Sequence, residues 1–182
     1  IGFLGGTGDL GKGMALRLSK KHDVLIGSRE LDKAKELASG YTLIAKSFYK
    51  NVTGKFIGLR NSDVACSSDI TVISVPYQHI LQLAKDIRYD FKKDSILLSP
   101  AAYVEFERED APTPKIEGKS NSLAEAIAKL IPEVRVVSAF QTISASKLAK
   151  LELVLDYDIL VATDSKEAYS IVAKFIEDIP NL

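Results

Sequence analysis

The chain has few of the residues that mark disulfide-stabilised, metal-binding or membrane proteins. Its 182 residues include one cysteine, two histidines and no tryptophan. The lone thiol of Cys66 cannot form a disulfide within the chain, which fits a reducing, cytoplasmic compartment. Because His22, His79 and Cys66 lie far apart in the sequence, we expect no metal site. No apolar run reaches the roughly 20 residues that span a bilayer, so we expect no membrane partner.

Neither sign of charge dominates. The chain carries 24 basic and 24 acidic residues, for a formal net charge of zero, which argues against a nucleic-acid partner. Its length suits one domain over residues 1–182. We also expect that a short N-terminal piece and a C-terminal segment lie outside this sequence, because it opens directly on an apolar strand at Ile1 and stops abruptly after Pro180.

Apolar runs of strand length alternate with helical patterns along the chain. Strands are predicted at 1–4, 23–27, 55–59, 70–75, 95–99, 134–138 and 159–162, with helices between most of them. Residues 105–119 are polar, contain two prolines and are predicted to form a loop or flap. Strict alternation of this kind predicts an α/β fold with a doubly wound, mainly parallel sheet.

A glycine-rich turn follows the first predicted strand. Gly6, Gly8 and Gly11 form the pattern G-x-G-x-x-G before a helical segment, which in this context predicts a Rossmann-type dinucleotide-binding site. The glycines allow a tight turn, close approach of a pyrophosphate and close helix packing, and the helix N-terminus attracts phosphate. Asp9 begins the helix, where a carboxylate interacts favourably with the helix dipole.

The second strand ends in Ser28 and Arg29 rather than in the acidic residue that binds the ribose of NAD. Arg29 can pair with a 2′-phosphate, and Lys33, one helical turn later, adds positive charge on the same side. The alternative is that both cations are solvated residues at a helix start. Because Arg29 and Lys33 follow the glycine turn in the sequence, we favour binding of NADP over the alternative of two solvated cations.

Two other strand ends carry candidate ligand contacts. Pro76 and Tyr77 offer surfaces on which a planar ring can pack, and His79 is either a general acid or base or a polar contact, the second being favoured. The alternative is an ordinary strand stop followed by an amphipathic helix. Gln141 and Thr142 either hydrogen-bond a substrate or finish a strand. No catalytic dyad is evident, which fits hydride transfer by positioning alone.

Together these residues resemble the coenzyme F420-dependent NADP reductases. The likeness covers most of the chain and includes 5–13, 15–18, 27–29, Lys33, Asn61, Asp63, 75–77, His79, 99–100, 137–139 and Thr142. It implies hydride transfer between C5 of the deazaflavin and C4 of the nicotinamide, in a homodimer. The implied contacts to the NADP phosphates are Thr7, Gly8, Leu10, Ser28, Arg29 and Lys33. The implied lining of the nicotinamide and deazaflavin end is Val75, Pro76, Tyr77, His79 and Ala139.

The predicted function is therefore that of an enzyme acting on small-molecule cofactors, NADP and coenzyme F420. Two alternatives stay open at this point. The chain is either an NADPH-dependent reductase of another acceptor, such as a flavin, ferric chelate or imine, or a non-catalytic NADP-binding redox sensor.

Overall fold

The computed structural model describes residues 1–102, 105–108, 111–113 and 122–182. The strands are β1 Gly2–Leu4, β2 Val24–Ser28, β3 Phe56–Arg60, β4 Ile70–Ile73, β5 Ile96–Ser99, β6 Glu105–Arg108, β7 Ala111–Thr113, β8 Arg135–Ala139 and β9 Val161–Ala162. The helices are α1 Asp9–Leu18, α2 Leu31–Phe48, α3 Asn61–Ser67, α4 Tyr77–Asp86, α5 Leu123–Leu130, α6 Ala145–Leu148 and α7 Lys166–Glu177. Within these described ranges, no helix is both long and apolar enough to cross a membrane.

Seven strands form one sheet in the order β3-β2-β1-β4-β5-β8-β9. All neighbouring pairs for which a register is resolved are parallel except β8 and β9. The chain therefore winds outward from β1 in one direction and from β4 in the other, which confirms the doubly wound, mainly parallel fold. The order reverses between β1 and β4, and ligands of such sheets bind at this reversal, beyond the carboxyl ends of the strands.

Helices cover both faces of the sheet because successive strand residues point to opposite sides. Phe3 and Val72 belong to one buried cluster, which includes side chains of α1, α2, α6 and α7. Their neighbours Leu4 and Ile73 belong to a second cluster, with side chains of α3, α4 and α5. Burial on both faces explains why these strands are continuously apolar instead of alternating.

Two parts of the structure differ from the sequence-based expectation. The predicted loop at 105–119 contains β6 and β7, which form a separate antiparallel pair; residues 109–110 and 114–119 lie outside the described residues. Pro112 is tolerated there because each strand of a two-stranded pair has an open edge. The short helix α6 was also not predicted. It is only four residues long and is capped by Ser144, whose hydroxyl accepts a hydrogen bond from the Lys147 amide.

A buried arginine joins α1 to distant parts of the chain. The side chain of Arg17 is fully buried, and burial lowers the pKa of its guanidinium. Its Nε donates to the carbonyl of Leu148 at 3.1 Å, and its terminal nitrogens donate to Lys150 at 2.8 Å, Leu153 at 3.3 Å and Pro180 at 2.7 Å. One side chain thus holds the segment after α6 and the segment after α7 against the first helix.

A second, ionic link joins the end of α7 to the segment that follows α1. Asp178, the C-cap of α7, accepts hydrogen bonds from Lys21 and, at 3.0 Å, interacts with Nε2 of His22. The hydrogen bond from Lys21, followed by that from His22, holds the pKa of the Asp178 carboxyl below its usual value against the opposing effect of desolvation. The ion pair therefore makes the stability of the fold depend on pH.

We expect Asp178→Asn to lower the melting temperature at neutral pH. Because the folded-state pKa is depressed, the paired carboxylate stabilises the fold above the unfolded-state pKa of about 3.9, and this contribution is lost as the pH falls through the folded-state pKa. Thermal unfolding of both proteins should therefore show a difference that shrinks below about pH 4. The exposed Asp158→Asn serves as control, and a difference for Asp178→Asn that is constant with pH would contradict this role.

Candidate functional site

A cavity of about 410 Å³ opens at the carboxyl ends of β1, β2 and β4. We call it the strand-end cavity. Its lining comes from the glycine turn, from the end of β2 and start of α2, from the start of α3, and from one side of α4. These residues are Gly5, Thr7, Gly8, Gly27, Ser28, Arg29, Lys33, Asn61, Ser74, Val75, Pro76, His79, Gln82, Leu83 and Asp86.

The turn between β1 and α1 depends on the glycine before the motif. Gly5 has a φ of +72°, a left-handed conformation that disfavours side chains. The Gly5 amide donates to the Gly27 carbonyl at 3.2 Å, and the Gly5 carbonyl accepts a hydrogen bond from the Thr7 amide at 2.6 Å. The tight-turn role expected of Gly6 thus falls to Gly5. Gly6 is buried, and its carbonyl accepts a hydrogen bond from the Tyr41 hydroxyl at 2.8 Å.

The other two motif glycines have contrasting surroundings. A Cβ on Gly11 would lie 2.8 Å from Oγ of Ser74 and 3.0 Å from Cα of Gly6, so this glycine allows α1 to pack against the turn. A Cβ on Gly8 would meet no protein atom within 4 Å. Gly8 is the N-cap of α1 and lines the strand-end cavity. The space beside Gly8 is therefore open to a ligand.

Two cations of the cavity lining lie between the end of β2 and the first turn of α2. Arg29 and Lys33 are exposed and line the cavity with Ser28, whose hydroxyl accepts a hydrogen bond from the Glu30 amide at 3.2 Å. Within the part of the chain that the structure describes, neither cation forms an ion pair. Uncompensated positive charge beside a glycine turn is suited to a phosphate-rich ligand.

The structure brings together eight of the predicted site residues and leaves six outside the cavity lining. Those in the lining are Thr7, Gly8, Ser28, Arg29, Lys33, Val75, Pro76 and His79. Of the others, Gly6 and Gly11 are buried in the turn, Asp9 is the exposed first residue of α1, and Leu10 is half-buried. Tyr77 is half-buried at the start of α4, and Ala139 is fully buried at the end of β8.

Seven lining residues were not predicted as ligand contacts: Gly5, Gly27, Asn61, Ser74, Gln82, Leu83 and Asp86. Gln82, Leu83 and Asp86 follow His79 at intervals of three, four and seven residues, so α4 presents them on one side. Only the packing of α4 shows that this side faces the cavity. Asn61 is 7% exposed, and its Oδ1 atom has no hydrogen-bond partner among the described residues.

The strand ends on the far side of the sheet are joined by protein contacts. The side-chain amide of Gln141 donates to the Ser99 carbonyl at 3.1 Å and also to the Ser138 hydroxyl. The side chain of Gln141 thus ties the end of β5 to the end of β8. Phe140 is buried with a φ of +74°, and its ring packs edge-on against Phe175 of α7. Among the described residues, no group of three or more metal-ligating side chains occurs.

Comparison with known proteins places this geometry in a family. Residues 1–103 match the model described as NADP oxidoreductase, coenzyme F420-dependent. The F420-dependent NADP reductase of Methanocaldococcus jannaschii is 36% identical over 172 residues, which is 94% of this chain and 76% of that protein. The F420-dependent NADP reductase of Methanothermobacter thermautotrophicus is 35% identical over 182 residues, with 98% and 76% covered.

Solved structures show the same fold. A candidate F420-dependent NADP reductase of Arthrobacter sp. FB24 superposes with a TM-score of 0.75 at 22% identity, covering 99% of this chain and 80% of that one. A pyrroline-5-carboxylate reductase of Coxiella burnetii gives a TM-score of 0.62 at 14% identity, covering 98% and 55%. On the family match and the sequence identity, the chain belongs to the coenzyme F420-dependent NADP oxidoreductase family.

Proposed function

We propose that this chain is an oxidoreductase that transfers a hydride between coenzyme F420 and NADP. The observation that carries the proposal is the pair Arg29 and Lys33, which line the strand-end cavity without ion-pair partners in the described part of the chain. Both curated relatives described above are named F420-dependent NADP reductases. A cavity that suits a phosphorylated dinucleotide supports the same activity here.

In this proposal, two parts of the cavity bind the two charged regions of NADP. Thr7 and Gly8 place the pyrophosphate at the N-terminus of α1, where free amide groups and the helix dipole favour an anion. Ser28, Arg29 and Lys33 bind the 2′-phosphate. Around these contacts, Gly6 and Gly11 shape the turn, and Asp9 and Leu10 carry it into α1. Open space beside Gly8 fits the close approach of a phosphate.

The reacting ends of the two cofactors are assigned to the side of the crevice beyond β4. We assign Val75, Pro76, Tyr77, His79 and Ala139 to this region. A hydride passes directly between C5 of the deazaflavin and C4 of the nicotinamide, so no protein acid or base is required at those atoms. The chain contributes by holding both rings in contact and excluding water. His79, exposed in the first turn of α4, acts as a polar contact.

A spectrophotometric assay tests this function. The purified protein is mixed with NADPH and, separately, with oxidised F420, FMN or a ferric chelate. We expect NADPH to be consumed with F420, with loss of the visible absorption of the deazaflavin. NADPH oxidation only with another acceptor would replace F420 in the proposal, and binding of NADPH without oxidation by any acceptor would contradict an enzymatic role.

We expect Gly8→Ala to weaken NADPH binding by about tenfold or more, because the new methyl group occupies the space that the phosphate needs. The fold should be retained, since that methyl meets no protein atom and the backbone at Gly8, with φ −81° and ψ 165°, suits alanine. Calorimetric titration with NADPH, together with a melting curve for each variant, makes the measurement.

Gly40→Ala is the matched control, because a Cβ there also meets nothing within 4 Å but lies within α2, outside the strand-end cavity. It should leave NADPH affinity unchanged and stabilise the helix by up to about 1 kcal/mol. Equal NADPH affinity in Gly8→Ala and wild type would contradict the phosphate assignment at the turn.

Two further features belong to the proposal. The family resemblance supports a homodimer, and a single cysteine supports a cytoplasmic location. Light scattering of the protein after size-exclusion chromatography tests the first, and localisation in the source cell tests the second.

A further inference from the structure

One wall of the strand-end cavity consists of residues that have no part in the proposed phosphate contacts. It is formed by Gln82, Leu83 and Asp86 on α4. Gln82 and Asp86 are exposed, whereas Leu83 is half-buried. A carboxylate in a cavity for a phosphate-rich ligand opposes binding unless a hydrogen-bond donor of the ligand faces it.

The chemistry of NADP identifies which part of the ligand that is. The ribose that carries the 2′-phosphate also carries the adenine base. If Arg29 and Lys33 bind the 2′-phosphate, the base lies within one sugar width of them, inside the same cavity. The base is also the part of this half of the molecule that has no negative charge and carries an exocyclic amine.

We propose that Gln82 and Asp86 recognise the adenine base of NADP and reject bases that lack its 6-amino group; this rests on the proposed function, which supplies the dinucleotide. Nε2 of Gln82 donates to Oδ1 of Asp86 at 2.7 Å. This bond orients both side chains. It leaves the second carboxylate oxygen of Asp86 as an acceptor and the second amide hydrogen of Gln82 as a donor.

That donor and acceptor match one edge of adenine. The 6-amino group donates to Asp86, and the neighbouring ring nitrogen accepts from Gln82. Leu83 provides apolar surface for the face of the ring. Hypoxanthine reverses both groups on this edge, because an oxygen replaces the amino group and the neighbouring ring nitrogen carries a hydrogen. Its oxygen would face the Asp86 carboxylate, and its N–H would face the amide hydrogen of Gln82. A site built to accept a hydrogen bond discriminates strongly against a ligand that lacks the donor.

The test compares two reduced cofactors that differ only on that edge of the base, NADPH and the reduced form of nicotinamide hypoxanthine dinucleotide phosphate. Fluorescence titration without F420 gives a dissociation constant for each. We expect wild type to bind NADPH about tenfold more tightly or better. In Asp86→Asn the ratio should fall towards one, because an asparagine amide can donate to the oxygen of hypoxanthine.

The ratio is the useful quantity because loss of a negative charge strengthens binding of both anionic cofactors. Asp90→Asn is the matched control, since Asp90 is exposed, follows α4 and does not line the cavity. It should leave the wild-type ratio unchanged.

Equal affinity of wild type for the two cofactors, or an unchanged ratio in Asp86→Asn, would overturn the proposal. The two proposals fail separately. Discrimination between the bases without hydride transfer to F420 would contradict the proposed activity but uphold base recognition, and failure to bind NADPH at all would overturn both.

Discussion

Arg29→Ala is expected to weaken NADPH binding by roughly 10- to 150-fold, which corresponds to about 1.5–3 kcal/mol for a lost charged hydrogen bond. NADH binding should change little, because NADH lacks the 2′-phosphate that Arg29 is proposed to bind. The large effect follows from the setting of the guanidinium, which lines the strand-end cavity and has no ion-pair partner in the described ranges. Titration of both cofactors against wild type and variant provides the measurement.

Lys35→Ala controls for a general loss of positive charge. Lys35 lies on α2, is exposed and does not line the cavity. It should lower NADPH affinity far less than Arg29→Ala, because exposed charges outside the site are screened by salt. If Arg29→Ala weakened NADH and NADPH equally, the 2′-phosphate assignment would be wrong.

Arg17→Met is expected to lower the free energy of unfolding by about 3–5 kcal/mol, because several hydrogen bonds from a charged donor, each worth about 1.5–3 kcal/mol, are lost together. Methionine retains apolar volume but no donor. Four carbonyls, at Leu148, Lys150, Leu153 and Pro180, would lose their contact with the guanidinium. Urea unfolding of wild type and variant measures the loss.

Lys20→Met provides the control, because Lys20 is exposed just after α1, and it should change stability by less than about 0.5 kcal/mol. If Arg17→Met does not fold, Arg17→Lys keeps a charge with fewer donors and should show a smaller loss of the same kind. A loss below about 1 kcal/mol in either Arg17 variant would contradict the anchoring role.

Local patterns were sufficient for most elements of the sheet and its helices. The helices expected between the predicted strands include α3, Asn61–Ser67, and the long helix α2, which continues through Gly40. The central strands were recognisable because burial on both faces makes them continuously apolar. The edge strand β9 is shorter than predicted and runs antiparallel to its neighbour β8. Strand β6 and its partner β7 were missed because polar residues and prolines conceal a two-stranded pair.

The candidate site, like the fold, was predicted from the sequence only in part. Glycine spacing and the pair Arg29 and Lys33 were visible because phosphate recognition uses a short, contiguous turn and the end of one strand. The α4 wall at Gln82 and Asp86 was not visible, because its spacing is that of any amphipathic helix. The glycine of the tight turn was also predicted one position too late. Either Gly5 or Gly6 suits a turn, and only the contact of Gly5 with β2 distinguishes them.

What the sequence determined by itself is the doubly wound architecture, the glycine turn and the preference for a phosphorylated dinucleotide. Each of these depends on short local patterns: apolar runs of strand length, the spacing of the glycines, and the residues that follow one strand. Tertiary structure alone decided that Arg17 is an internal anchor, that Gln141 ties two strand ends together and that α4 turns Asp86 towards the cavity. Those contacts join residues separated by as many as 163 positions, and no local pattern specifies which distant carbonyl or cavity a side chain will meet.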